Sequence, residues 1–409
     1  MSHAALGVPT GLPRDEASEP AAHAATRRRV AHLDMDAFYA SVELLRYPEL
    51  AGQAVVIGGR RRQRGEGNVA AGTHLCLRDY AGRGVVTTAT YAARTFGVHS
   101  GLGLMKAAKL CPDAILLPAD FDEYRRYSRR FKEAVTAIAP VMEDRGIDEV
   151  YLEFTGHEGV DADGGRALAR RLQTAVHAAT GLTCSIGVAP NKLLAKMASE
   201  FHKPNGVSVI FESDLTTRIG PLPCRRINGI GPKAEARLAE HGIRTIGELA
   251  RQDRTWLTAR FGRSYGEWLY AAAWGWDDRP VITASEPVSM SRETTFDRDL
   301  HAVRDRAELG EIFTRLCRQV AADLERKGYV GRTIGIKLRY HDFSSVTRDR
   351  TIEDYTADAA LIRRIAGSCL KRAPLGQPLR LLGVRVGSLV RRAEAPTATA
   401  PLFPATGVG

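Results

Sequence analysis

Leu33-Asp34-Met35-Asp36-Ala37-Phe38-Tyr39-Ala40-Ser41-Val42-Glu43 is the stretch on which the reading of this chain turns. Residues 29–34 are short, apolar and β-branched, which predicts a strand with Asp34 at its end. Asp36 then fits a helix N-cap, because its carboxylate can accept an early free N–H. The helix it would open runs through Phe38, Tyr39, Val42 and Leu45. A carboxylate at a strand end, followed at once by a helix, is a place where chemistry can be mounted on rigid elements.

Working outward, residues 54–57 read as a second strand, and 58–84 form an Arg- and Gly-rich connection of weak periodicity. A helical pattern covers 121–139. Two strands follow at 141–143 and 149–154, the second alternating Val150, Leu152 and Phe154. A helix over 161–179, a strand at 183–188 and a helix over 191–201 complete the segment. Strand–helix–strand–strand–helix–strand order predicts an α/β (α+β) layer with helices over a sheet. After residue 212 the pattern turns to short helices with glycine turns. Residues 283–287 read as a linker, and strands and helices alternate again up to 392.

At 409 residues the chain is long enough for two to four domains at roughly 100–200 residues each. The net charge is +11, which points to an anionic partner such as nucleic acid. Residues 287–392 carry 21 Lys and Arg against 13 Asp and Glu, so the surplus concentrates near the C-terminal end. No apolar run reaches the roughly 18 residues a membrane span needs. Residues 1–27 lack the continuous apolar stretch of a secretory signal and read as a disordered tail. The same holds for the Ala/Pro/Thr-rich residues 393–409. None of the six cysteines sits in a Cys-x-x-Cys pair, which argues against zinc or a redox dithiol and fits a reducing, cytoplasmic setting.

Asp148-Glu149 opens the strand at 149–154 after a tight connection. Three carboxylates converging at strand ends would repel one another unless cations neutralise them. Hard divalent ions do so, and magnesium keeps few protein ligands while sharing substrate phosphates. Two such ions, about 4 Å apart, stabilise both the attacking and the leaving oxygen of a phosphoryl transfer. Tyr91 and Arg94 are one helical turn apart and point the same way, a phenol and a guanidinium suited to a triphosphate. Lys203-Pro204-Asn205-Gly206 has turn chemistry. In Asn228-Gly229-Ile230-Gly231-Pro232-Lys233-Ala234, the glycines Gly229 and Gly231 let backbone N–H groups approach a phosphate at a helix start, with Lys233 beside it. Such contacts hold a duplex without reading its sequence. Residues 333–340 alternate so that Ile334, Ile336 and Leu338 face a core and Lys337 and Arg339 an open face. Arg348, Arg350 and Arg385 fall on neighbouring predicted strands.

The segment 33–43, together with Ile147-Asp148-Glu149-Val150-Tyr151-Leu152, resembles the two catalytic motifs of the Y-family, lesion-bypassing DNA polymerases, in particular their DNA polymerase IV branch. The likeness covers about residues 28–392. Residues 88–98 resemble the family's nucleotide-binding finger segment, 203–206 its Lys-Pro-Asn-Gly turn, 228–234 a helix-hairpin-helix, and 289–296, which include Arg292, the start of its little finger. The resemblance implies a right-hand fold: palm 28–36 and 118–211, fingers 37–117, thumb 212–282, linker 283–287 and little finger 288–392. It implies that Asp34 and Asp148 bridge two Mg2+ ions, that Glu149 ligates the catalytic one and that the Met35 carbonyl completes a site. It implies that Lys203 meets the triphosphate and that Tyr39 is the steric gate that excludes a 2′-hydroxyl. A primer 3′-hydroxyl would attack the α-phosphate of a deoxynucleoside triphosphate on primer–template DNA, with no proofreading domain. Arg292, Lys337, Arg339, Arg348 and Arg385 would grip the DNA. In the tail, Thr399-Ala400-Pro401-Leu402-Phe403 resembles a sliding-clamp peptide carried by Leu402 and Phe403, with Thr399 in place of the usual Gln. The chain is expected to act as a monomer.

The chain departs from the family in its longer connection at 58–84, in Gly146 where a Ser usually precedes the Asp-Glu pair, and in Thr90 for Asn. The rival readings are a non-catalytic DNA-binding relative acting as a repair scaffold, and a nucleotide cyclase-like enzyme on a palm-like sheet. Retention of all three carboxylates opposes the first. The helix-hairpin-helix and the basic final domain oppose the second.

Overall fold

A computed structural model describes residues 28–59 and 74–395. Residues 1–27, 60–73 and 396–409, with Leu402 and Phe403 among them, lie outside the described residues; the first residues of the predicted C-terminal tail are described, and Arg392–Glu394 form a 3-10 turn. The chain divides into two compact units, one made of residues up to 36 with 125–281, the other of 37–124 with 282 onward.

The first unit is built on a five-stranded sheet in the order Met142–Asp144, Glu149–Glu153, Val30–Met35, Cys184–Ala189, Val207–Val209. Val30–Met35 pairs antiparallel with both of its neighbours, and the last two strands are parallel. Its residues are almost all buried because both faces are covered. The helix Lys192–Ser199 packs on one face, started by Asn191, whose side chain accepts from the Leu194 N–H. The pattern at 161–179 resolves into two helices, Val160–Asp163 and Arg166–Thr180. Gly164 and Gly165 divide them at φ +67° and +88°, a conformation that glycine adopts without a Cβ clash. The helical segment from Pro232 to Ala273 contributes Leu238, Leu249 and Leu269 to a core shared with Val30 and Ala189 of the sheet and Leu193 and Leu194 of the helix packed on it.

Asp36 does not cap the helix Phe38–Arg46 as its position suggested; Ala37, at φ 44°, is the N-cap residue. The Asp36 carboxylate turns inward and accepts from the Ser185 hydroxyl at 2.7 Å and from the Asn205 N–H at 2.8 Å. It therefore ties the strand end to the Lys203–Gly206 turn.

Beneath the sheet, Lys192 donates to Glu143 at 2.5 Å and to the Pro280 carbonyl at 3.2 Å. Lys192 and Glu143 are 4% and 5% exposed. Removing Lys192 takes away the close buried partner of Glu143 and leaves it the more exposed Arg145 at 3.4 Å. Lys192→Met is therefore expected to cost about 3–5 kcal/mol of stability, and Lys192→Met combined with Glu143→Leu much less. Urea unfolding of the single and double variants measures this; equal midpoints for Lys192→Met and wild type would refute it.

The second unit holds two sheets. A small one runs in the order Leu75–Cys76, Ile115–Leu117, Val55–Gly58, Val86–Ala89. The other runs Ser289–Leu300, Leu379–Arg391, Tyr329–Tyr340, Ser345–Thr356, every pair antiparallel. The helices Arg306–Lys327 and Ala359–Leu370 share its core with Ile334, Ile336 and Leu338. Lys337 and Arg339 take the other face, as the alternation predicted.

Register corrects two of the predicted DNA contacts. Ile336 lies opposite Arg348, and directly opposed residues share a face. Arg348 is therefore on the helix-covered side rather than the open one. Arg292 lies opposite Val384 and is gripped by Asp323, on the helix Arg306–Lys327, through two hydrogen bonds of 2.5 and 2.9 Å. Arg385, opposite Gly335, stays on the open face with Lys337 and Arg339.

Candidate active site

Asp34 and Glu149 are directly opposite each other on adjacent antiparallel strands. Cross-strand partners hold their Cβ atoms about 4.5–5.5 Å apart, so the two carboxylates meet on one face. Asp148 precedes Glu149, and its carbonyl accepts from the Met35 N–H at 3.0 Å. That bond fixes the connection carrying Asp148 beside the strand carrying Asp34. The three predicted acids are thus drawn together from two segments more than a hundred residues apart.

Four residues that sequence reasoning did not assign to the site complete it: His32, Lys196, Ser199 and Glu200. Ligand atoms of His32, Asp34 and Glu149 lie within 4.8 Å of one another. Lys203 donates to Asp34 Oδ1 at 2.7 Å and also pairs with Glu200 at 2.5 Å. Lys196 pairs with Glu149 Oε2. His32 Nε2 is 3.2 Å from the same oxygen, and its Nδ1 is 2.8 Å from Ser199 Oγ. Two faint signals pointed to them. His32 is two residues from Asp34 on one strand, hence on the same face, and Lys192, Lys196 and Ser199 form one helical stripe.

Burial pushes the Asp34 carboxyl above the ordinary carboxylate range, and Lys203 only partly offsets this. Asp148 is also raised, first by burial and then by the Glu149 charge. Glu149 is held down to about 2 by the hydrogen bond from His32, against its burial and with the help of Lys196. Burial pushes His32 below its usual value. Lys203 is raised, since Asp34 and Glu200 outweigh its own burial. The site therefore holds two carboxyls raised mainly by burial beside a third that is held low. Its donor atoms are carboxylate oxygens, the set that a hard divalent cation takes.

In the second unit, Thr90 caps the short helix Tyr91–Arg94, accepting from the Ala93 N–H. The Arg94 guanidinium lies 4.8 Å over the Tyr91 ring, so the two residues do share a side. Tyr39 stacks on Tyr124 with ring centres 4.4 Å apart and meets Phe121 edge-on. In the first unit Gly229, at φ +118°, packs where a Cβ would strike Trp268, and Gly231 is the N-cap of the helix Pro232–Ala239.

Residues 33–200 match the impB/mucB/samB family, and residues 287–399 match its C-terminal domain. The chain is 39% identical over 362 residues to the DNA polymerase IV of Methanoculleus marisnigri, covering 88% of this chain and 94% of that protein. It is 37% identical over 374 residues to that of Caulobacter vibrioides, covering 91% and 86%. Its fold matches a Y-family DNA polymerase chimera of Dbh and Dpo4 with a TM-score of 0.72 at 23% identity, over 89% of this chain and 99% of that one. With three acids gathered at the ends of adjacent strands and this extent of likeness, the chain belongs to the DNA polymerase IV family, the Y-family polymerases of lesion bypass.

Proposed function

We propose that Asp34, Asp148 and Glu149 hold two Mg2+ ions, with the Met35 carbonyl as a further ligand, and that this site adds deoxynucleotides to a primer 3′-hydroxyl. The observation that carries the reading is the direct opposition of Asp34 and Glu149, with Asp148 alongside and two of the three acids raised. Bound divalent ions would supply charge stabilisation to the attacking and leaving oxygens. Lys203 serves as a counter-ion to Asp34 and turns to the triphosphate when a nucleotide arrives. Tyr91 and Arg94 take phosphate oxygens through a phenol and a planar fork. Tyr39 presents its ring to the sugar. Primer extension with and without magnesium tests the assignment: extension that persists in chelator would sink it.

We assign residues 28–36 and 118–211 to a palm, 37–117 to fingers, 212–282 to a thumb and 288–392 to a little finger. Gly229, Gly231 and Lys233 hold duplex phosphate at a helix start. Lys337, Arg339 and Arg385 form the basic open face of the little finger; Arg292 and Arg348 are withdrawn from it. Lys337 also pairs with Glu293 at 2.9 Å, so DNA must compete for it. Each phosphate neutralised contributes roughly 0.9 to the slope of log affinity against log salt. Replacing Lys337 and Arg339 by Ala is therefore expected to flatten that slope by up to about two, equally for unrelated duplexes. A salt titration of binding measures it. An unmoved slope would remove these side chains from the phosphates.

Leu402 and Phe403 are proposed as a sliding-clamp peptide. Deleting residues 397–409 should leave distributive synthesis intact and reduce stimulation by the clamp; equal stimulation would reject the peptide. The six cysteines are unpaired, in keeping with a reducing compartment, and we place the protein in the cytoplasm as a monomer.

A further inference from the structure

His32 is fully buried, and both of its ring nitrogens are engaged. It sits one strand pleat below Asp34, opposite Tyr151, whose ring lies 4.7 Å away at a tilt of 54°. The strand pairing thus fixes the backbone of His32, and Tyr151 limits the swing of its ring.

The hydrogen-bond chemistry sets the tautomer. An ionised carboxylate accepts only, so the imidazole nitrogen facing Glu149 must carry the proton. Nδ1 then has only a lone pair, and the group beside it must donate. That group is the Ser199 hydroxyl at 2.8 Å. The hydroxyl oxygen also lies 2.9 Å from the Lys196 carbonyl, within the same helix. A hydroxyl has one proton. The carbonyl can do without it, whereas a buried imidazole lone pair facing an oxygen lone pair would be repelled. The chain of donors therefore runs from Ser199 Oγ–H to Nδ1, and from Nε2–H to Glu149 Oε2.

Oε2 receives both His32 and Lys196, while Oε1 receives no hydrogen bond among the described residues. The Glu149 carboxylate is therefore pinned by one oxygen, with the other free to ligate. A role for His32 as a ligand itself is disfavoured, because both nitrogens are committed and a hard divalent ion prefers oxygen.

We propose that His32 is a positioning residue: with its tautomer set by Ser199, it orients the Glu149 carboxylate so that one oxygen is presented to the divalent ion. The proposal rests on the reading of Glu149 as a metal ligand. Hydrogen-bond partners behind a ligand fix its direction and basicity, and their loss typically weakens metal binding by about 10–100-fold.

The test compares wild type with His32→Leu, His32→Gln, Ser199→Ala and, as a reference for the site itself, Asp148→Ala. Each is assembled with a chain-terminated primer–template and the matching deoxynucleotide. Free Mn2+ is then followed by electron paramagnetic resonance, alongside DNA affinity and a Mg2+ titration of primer extension. His32→Leu should weaken Mn2+ binding, and raise the Mg2+ needed for half-maximal extension, by about 10–100-fold with DNA affinity unchanged. His32→Gln, whose amide can still donate to Glu149, should recover most of the loss. Ser199→Ala should weaken Mn2+ binding in the same direction and less.

Wild-type Mn2+ affinity in His32→Leu overturns the proposal. So does a His32→Gln protein as impaired as His32→Leu, which would show that ring packing rather than the donated hydrogen bond matters. Should His32→Leu fail to fold, the remaining pair decides. A weakened Ser199→Ala beside a near-normal His32→Gln supports the proposal, and a wild-type Ser199→Ala overturns it. Asp148→Ala separates the two levels. If it binds Mn2+ and extends primers normally, the carboxylate reading itself fails. If it is inactive while His32→Leu is normal, only the role of His32 fails.

Discussion

Asp148→Ala is expected to lower the single-turnover rate of primer extension by about a thousandfold or more, while affinity for primer–template DNA changes little. The magnitude follows from the charge. A carboxylate that takes part in holding divalent ions supports several kcal/mol of transition-state stabilisation, and each 1.36 kcal/mol is worth about tenfold in rate. Asp148 is half-buried, and burial and the Glu149 charge beside it raise its carboxyl. Without a cation the group is therefore a liability to the fold. Removing it leaves Lys196 paired with Glu149, and Lys203 with Asp34 and Glu200. The lysines would then hold the two remaining acids more tightly, and stability should not suffer. Asp148→Asn, equal in size but without the charge, should be nearly as inactive. Extension within about tenfold of wild type at saturating Mg2+ would show that Asp148 is not a ligand. A parallel loss of DNA binding would point to a folding defect.

Tyr39→Ala should reduce discrimination against ribonucleotides on the order of a hundredfold, read as the ratio of kcat/KM for deoxyribonucleotide over ribonucleotide. A hydroxyl of a sugar is excluded by a surface that cannot retreat, and Tyr39 is backed in that way. Its ring lies on Tyr124 at 29°, and the Phe121 ring stands edge-on to it at 81°. Tyr124 is held in turn, since its hydroxyl donates to the buried Glu43 carboxylate at 2.7 Å, where Arg46 also pairs at 3.5 Å. Such a stack transmits little compliance, so the extra oxygen has nowhere to go. Tyr39→Phe, which keeps the ring, should retain the discrimination. An unchanged ratio in Tyr39→Ala would assign the gate to another residue.

Much of this was legible before any coordinates. The three acids stand in distinctive local surroundings. The alternation of 333–340 sorted Ile334, Ile336 and Leu338 from Lys337 and Arg339, because a strand repeats every two residues. The one-turn spacing of Tyr91 and Arg94 correctly put them on one side. Helix limits were read less well where glycine intervened: the Gly164-Gly165 pair inside 161–179, a turn signal in its own right, divides that pattern into two helices.

What sequence alone determined, then, was the family motifs in which the three acids stand and the face that a residue takes relative to its own immediate neighbours. Tertiary structure decided how those faces combine. The side of the sheet on which Arg348 lies depends on its pairing with Ile336, and a slip of one residue would reverse it. Arg292 was read as a DNA contact because it is basic and lies in a family-like segment, yet Asp323, 31 residues away, holds it on the helix side. Asp36 looked like a helix cap until the strand Cys184–Ala189 brought Ser185 to it. His32 and Glu149 are 117 residues apart, and Lys203 and Asp34 are 169 apart. Local periodicity follows from backbone geometry within a few residues. Hydrogen bonds and ion pairs across such distances arise only once burial has chosen a strand register and docked a helix on it.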